Sequence, residues 1–224
     1  MREVLERWGL LEAGSARADV FARLAVRVKK VGVDTADPLD GILRFLGEQP
    51  QDLMVLATEG REGLPRFLRG SVAQRAARAS GVRTLFVPEG GRGFVGPAEG
   101  SLSLQRILVP VAERPDPQAA VESAAWAAEA LGVAPVAIHV LHVGGTPPAL
   151  DLPTGDGWAW HRVTRAGDPV EEILAAAEEL PSDLLVMTTD GRDVLIDAFR
   201  GSHAERVVRG ASCPVLALPV PKAD

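Results

Sequence analysis

The chain contains no tyrosine, one cysteine and few aromatic residues, 4% of its 224 positions. A single thiol excludes an internal disulfide and any cysteine-built metal cluster, so Cys213 reads as a small apolar residue at the head of a strand. No run approaches 18 apolar residues, and the N-terminal MREVLERWGLLEAGSARADV lacks the pattern of a secretion signal. A cytoplasmic protein with no membrane partner is expected. Positive charge is in deficit, 24 Lys and Arg against 30 Asp and Glu for a net of −6, which argues against a nucleic-acid groove. No Gly-Lys-Ser/Thr occurs, so a P-loop is excluded. Convincing nucleophile and base pairs are also lacking. His139 and His142, three apart in an expected strand, face opposite ways and make a poor metal pair.

What is present is a repeat. Residues 37–88 lie without a gap over residues 168–219 at a constant offset of 131, with 21 of 52 positions identical. That spacing is too long for a solenoid and suits a duplicated domain. The apolar fraction of 46% and charged fraction of 24% are those of an ordinary globular protein.

The second copy is the more complete. Residues 107–111, ILVPV, read as a strand buried on both faces. Asp116 and Pro117 supply an N-cap and a first-turn proline for a helix that Gly132 ends. Strands are expected at 135–143 and 158–165, with the Gly/Pro-rich 144–157 as loop. Asp168-Pro169 starts a second helix that Pro181 stops, and strands follow at 184–188 and 214–218 around a helix opened by Ser202. Strands alternating with helices imply an α/β fold with mostly parallel sheets.

The first copy follows the same order only from Asp37: helix 38–48, strand 52–57, a helix capped by Ser71 and strand 83–88. Arg17 to Val33 reads as a helix running into a strand, and Val4, Leu5, Trp8 and Leu11 form an apolar stripe suited to docking on the first lobe or another subunit. The expected domains are an incomplete lobe over 1–88, a flexible Gly-rich linker over 89–102 and a complete lobe over 103–224.

In each copy a strand ends in Thr, followed by an acid, Gly-Arg, and then Gly-Ser opening a helix. The residues are Gly60, Arg61, Gly70 and Ser71 in the first copy, and Gly191, Arg192, Gly201 and Ser202 in the second. Glycine allows close backbone approach, and free N–H groups at a helix start bind anions, so a phosphate fits here. The same serines fit capping boxes with Gln74 and Glu205, which satisfies the helix starts without any ligand. Both readings stay open on the local sequence.

The stretch DLLVMTTDGRDVLIDAFRGSHAERVVRGASCPVLALPV, with ILVPV before it, resembles the universal stress protein family over essentially all of 105–220, and 36–88 match the last half of a second module. The chain is similar to a tandem member whose first module is incomplete. That resemblance implies a Rossmann-like fold, of the adenine nucleotide alpha-hydrolase-like type, with two pseudo-repeated lobes, sheet order 3-2-1-4-5 and pairing through the last strands, within one chain or as a homodimer. It also implies ATP, with Mg2+ accompanying it, held across the ends of strands one and four. The matching positions are Pro110, Val111, Ala112, Thr188, Gly191, Arg192, Gly201, Ser202 and His203 in the second module, and Gly60, Arg61, Gly70, Ser71 and Val72 in the first. The chain departs from the pattern at three points. Ala57 and Thr188 stand where the motif begins with glycine, Ala112 stands where the family has a base-contacting aspartate, and the first lobe has no first strand.

Charge separates the copies. Residues 57–80 carry five arginines against two acids, and 188–211 carry four of each, so the first loop is the better anion site while the better base pocket lies in the second lobe. A site shared between lobes is one way to reconcile these. The leading expectation is non-catalytic adenine nucleotide binding or sensing in a stress response, with at most weak ATP hydrolysis. The alternative is a scaffold that keeps the fold without the ligand.

Overall fold

The computed structural model describes residues 2–25, 27–58, 72–190 and 203–220. Its elements are α1(Arg2–Arg7), α2(Arg17–Leu24), α3(Pro38–Glu48), β1(Met54–Thr58), α4(Val72–Ser80), β2(Thr84–Pro88), β3(Arg106–Val111), α5(Pro117–Ala130), β4(Val136–Val143), β5(Trp158–Arg165), α6(Pro169–Glu179), β6(Leu184–Asp190), α7(His203–Gly210) and β7(Val215–Val220). The expected helix starts are in place. Asp37, Asp116 and Asp168 each accept backbone N–H bonds from the first turn, ahead of a proline that needs no partner there. The serine caps expected at Ser71 and Ser202 lie outside the described residues.

The seven strands of the described residues form one sheet in the order β1-β2-β7-β6-β3-β4-β5. Every neighbouring pair is parallel except β2 with β7, where Thr84, Leu85 and Phe86 oppose Ala217, Leu216 and Val215. The fold is thus mostly parallel α/β. The second half has the order 3-2-1-4-5, and the two halves join edge to edge through their last strands.

Two apolar layers hold the sheet. On one side Leu108, Leu141, Leu185 and Met187 pack under α6 and α7, and the layer continues across the junction to Phe86 and to Ala77 of α4. On the other side Ile107, Val109, Ile138 and Val186 meet Val121 and Ala124 of α5. The alanines of α5 let it lie close to the sheet, and β3, covered on both faces, has five buried residues in six.

Three sequence expectations need correction. Residues 17–24 are helical, but no strand follows in 27–33. By the offset of 131 these residues correspond to β5, which pairs with β4. The first half has no counterpart of β4 among its described residues, so a ladder partner is missing. The connection over 89–102, flexible by composition, is anchored: Phe94 and Leu104 are buried in the α5-side layer, and Val95 bridges Leu102. The Arg92 amide donates to Ser212 O at 2.7 Å and its guanidinium to Ser182 O at 3.0 Å. Gly91 is required there, since a Cβ would lie 2.7 Å from that same Ser212 oxygen. Finally, Trp8 packs on this connection, donating from Nε1 to Pro97 O at 3.0 Å, with its ring over Gly100.

Cys213 sits at the turn into β7 with no exposed surface, and burial pushes its thiol up to about 11. The thiolate is the reactive form. Ellman's reagent at pH 8 is therefore expected to find no reactive thiol in the native protein and one after denaturation. Fast labelling of the native chain would contradict this burial.

Candidate functional site

β3 and β6 are adjacent and parallel, with Ile107 opposite Leu184 and Leu108 opposite Leu185, so their carboxyl ends open on the same rim. A cleft of about 550 Å³ lies there. Its floor is Pro110, Val111 and Ala112 at the end of β3 with Met187 and Thr188 of β6, and Pro169 and Ile173 of α6 form one wall. His203 and Ala204, the first residues of α7, face the opening. The volume is that of a small-molecule site. A crevice between α4 and α7 over the β2–β7 junction holds only about 30 Å³, room for a few waters.

Five residues expected at the site converge on the cleft: Pro110, Val111, Ala112, Thr188 and His203. Val72 starts α4 in the other half and does not line it. Gly60, Arg61, Gly70, Ser71, Gly191, Arg192, Gly201 and Ser202 lie outside the described residues. The sequence reading missed Arg114, Pro115, Pro169 and Ile173. Sheet order was the available signal, since it brings the turn after β3 and the start of α6 to one rim.

Arg114 and His203 reach the cleft's surface, and no carboxylate lines it among the described residues. Thr188, nearly buried, gives its hydroxyl to Pro115 O at 3.3 Å, tying β6 to the turn after β3. Nδ1 of buried His142 lies 3.1 Å from Val111 O. A carbonyl only accepts, so Nδ1 carries the proton and secures the end of β3 from the other face of the sheet. Beside the rim, Asp168 caps α6. The N–H of Glu171, followed by the charge of Arg206 at 3.6 Å and that of His203, holds its carboxyl below the usual range. Asp168 thus stays anionic while engaged in the helix start.

His139 and His142, three apart along β4, fall on opposite faces of the sheet. His142 faces the α5 side, whereas His139 stacks on His161 of β5, ring centroids 4.8 Å apart. Burial, then the charges of His161 and Arg106, lower the pKa of His139. No group of three or more potential metal ligands occurs among the described residues. Nor is any described helix long and apolar enough to cross a membrane.

The model of the universal stress protein family matches residues 3–88 and 149–219, well over half of the chain and parts of both halves. The chain belongs to the universal stress protein family. It is 42% identical over 64 residues to a universal stress protein of Methanocaldococcus jannaschii, covering 29% of this chain and 38% of that one. Over 50 residues it is 46% identical to a Thermus aquaticus universal stress protein, covering 22% and 36%. These matches span little more than a third of either relative. Among solved structures, a universal stress protein from Archaeoglobus fulgidus superposes with a TM-score of 0.60 at 22% identity, over 82% of this chain and 65% of that one. One from Pseudomonas aeruginosa does so at 0.56 and 17%, over 90% and 76%. At these identities the likeness is one of fold, and it covers both modules.

Proposed function

We propose that this family member binds an adenine nucleotide, ATP with Mg2+, in the second module and serves as a non-catalytic nucleotide sensor in a cytoplasmic stress response. The observation that carries this reading is the 550 Å³ cleft at the joint rim of β3 and β6, lined by five of the residues the motif singles out. Its donor set suits an anion: Arg114 and His203 at the surface, with no opposing carboxylate among the described lining residues. The same lining offers no carboxylate to hold Mg2+, so the metal would enter bound to the nucleotide's own phosphates. Apolar groups, Pro110, Val111, Ile173 and Met187, supply the surface against which a base would stack. The loop charges favour the first module, but the described cleft lies in the second.

Calorimetric titration with ATP and AMP tests this. Saturable binding below about 1 mM is expected, and Gly201→Glu should weaken it at least about tenfold while Gly70→Glu leaves it unchanged. Ala112 in place of an acid, and the exposed strand edge of the first module, favour the scaffold alternative. No affinity for either nucleotide would favour that alternative over the sensor.

A further inference from the structure

The repeat allows the same residues to be compared in two surroundings. β1 corresponds to β6 and β2 to β7, yet β6 lies between two strands and β1 at the end of the sheet. Leu184 is 2% exposed and its counterpart Leu53 is 37% exposed; Val186 is fully buried and Val55 is 59% exposed. What covers them in the second module is β3 along the edge and α5 over the face. The seat for β3 also includes an acceptor. Asp183 Oδ2 takes the backbone N–H groups of Gln105 and Arg106, each at 2.9 Å, where β3 begins. The first module keeps that carboxylate as exposed Asp52, beside a strand edge with no strand on it among the described residues. Two of the usual protections of an edge are missing from β1, since Met54–Thr58 contains no charge and no proline.

We propose that the free edge of β1 and the apolar face around Val55 are a docking surface for a strand-then-helix unit supplied from outside residues 1–224. The occupant is a parallel strand of about five apolar residues followed by a small-residue helix, the chemistry of this chain's own 105–131. Its first two N–H groups meet Asp52, and that charge excludes an acid at the start of the strand. A second copy pairing β1 to β1 would cover the edge but place no helix over Val55, so the observations favour the strand-and-helix partner. Docking here is independent of any ligand in the cleft.

The probe is a labelled synthetic peptide of residues 105–131, titrated into the full chain and followed by fluorescence anisotropy. Saturable binding without nucleotide is expected, weakened at least about tenfold by Val55→Lys and by Asp52→Asn, both at exposed positions that leave the fold intact. Absence of binding at about 100 µM peptide, or binding unchanged in both variants, overturns the proposal. So does light scattering that shows a dimer of the free chain dissolved by Val55→Lys, which would assign the edge to a second copy.

Discussion

Val186→Asp is expected to lower the melting temperature by roughly 8–16 °C or to prevent folding, while Val55→Asp, the same change at the corresponding site of the repeat, leaves it within about 2 °C. Val186 has no exposed surface and packs in the α5-side layer with Ile107, Val109 and Ile138. A carboxylate there finds no partner and costs on the order of 4 kcal/mol or more, a large share of the stability of an ordinary domain. Val55 is 59% exposed, so its carboxylate stays in water and loses little apolar burial. Circular dichroism melts of the two variants decide the matter. Equal destabilisation would mean that the two copies are equally covered, against the end position of β1.

The second large effect is expected at Asp183. Asp183→Ala removes the acceptor for two backbone donors at the start of β3 and should cost roughly 2–3 kcal/mol, with Asp183→Asn recovering part of it through its remaining carbonyl oxygen. Asp52→Ala should change stability by less than about 0.5 kcal/mol. Urea melts give these values, and hydrogen exchange at the amides of Gln105 and Arg106 shows whether the loss is local to β3. Because β3 ends at the cleft, a frayed start there should also loosen the floor formed by Pro110 and Val111. A loss at Asp183 no larger than at Asp52 would show that the bonds contribute nothing net.

Much of the architecture could be read from the residues because local signals and packing agree. Asp-Pro pairs start α3, α5 and α6 where expected, and the apolar ILVPV run became a strand buried on both faces. The failures come from long-range partners. Residues 27–33 have strand-like composition, but a strand is stabilised by its neighbour, and the neighbour that β5 has in β4 has no counterpart among the described residues of the first half. Glycine content made 89–102 read as flexible, yet two large apolar groups, Phe94 within it and Leu104 just beyond it, outweigh the freedom of the glycines between them. At the site, residues on the β3 and β6 ends were recognisable from the motif. Arg114 and Ile173 were not, because only the order of strands in the sheet brings the turn after β3 and α6 to that rim.

The antiparallel contact between β2 and β7 reverses the polarity of the sheet midway. β1 and β2 point towards one border, and β7, β6, β3, β4 and β5 towards the opposite one. The molecule is thereby two-headed, with its two strand-end borders turned away from each other. Occupants of the two borders would not touch, and whatever one communicates to the other must pass through the β2–β7 ladder and the apolar layer continuous across it.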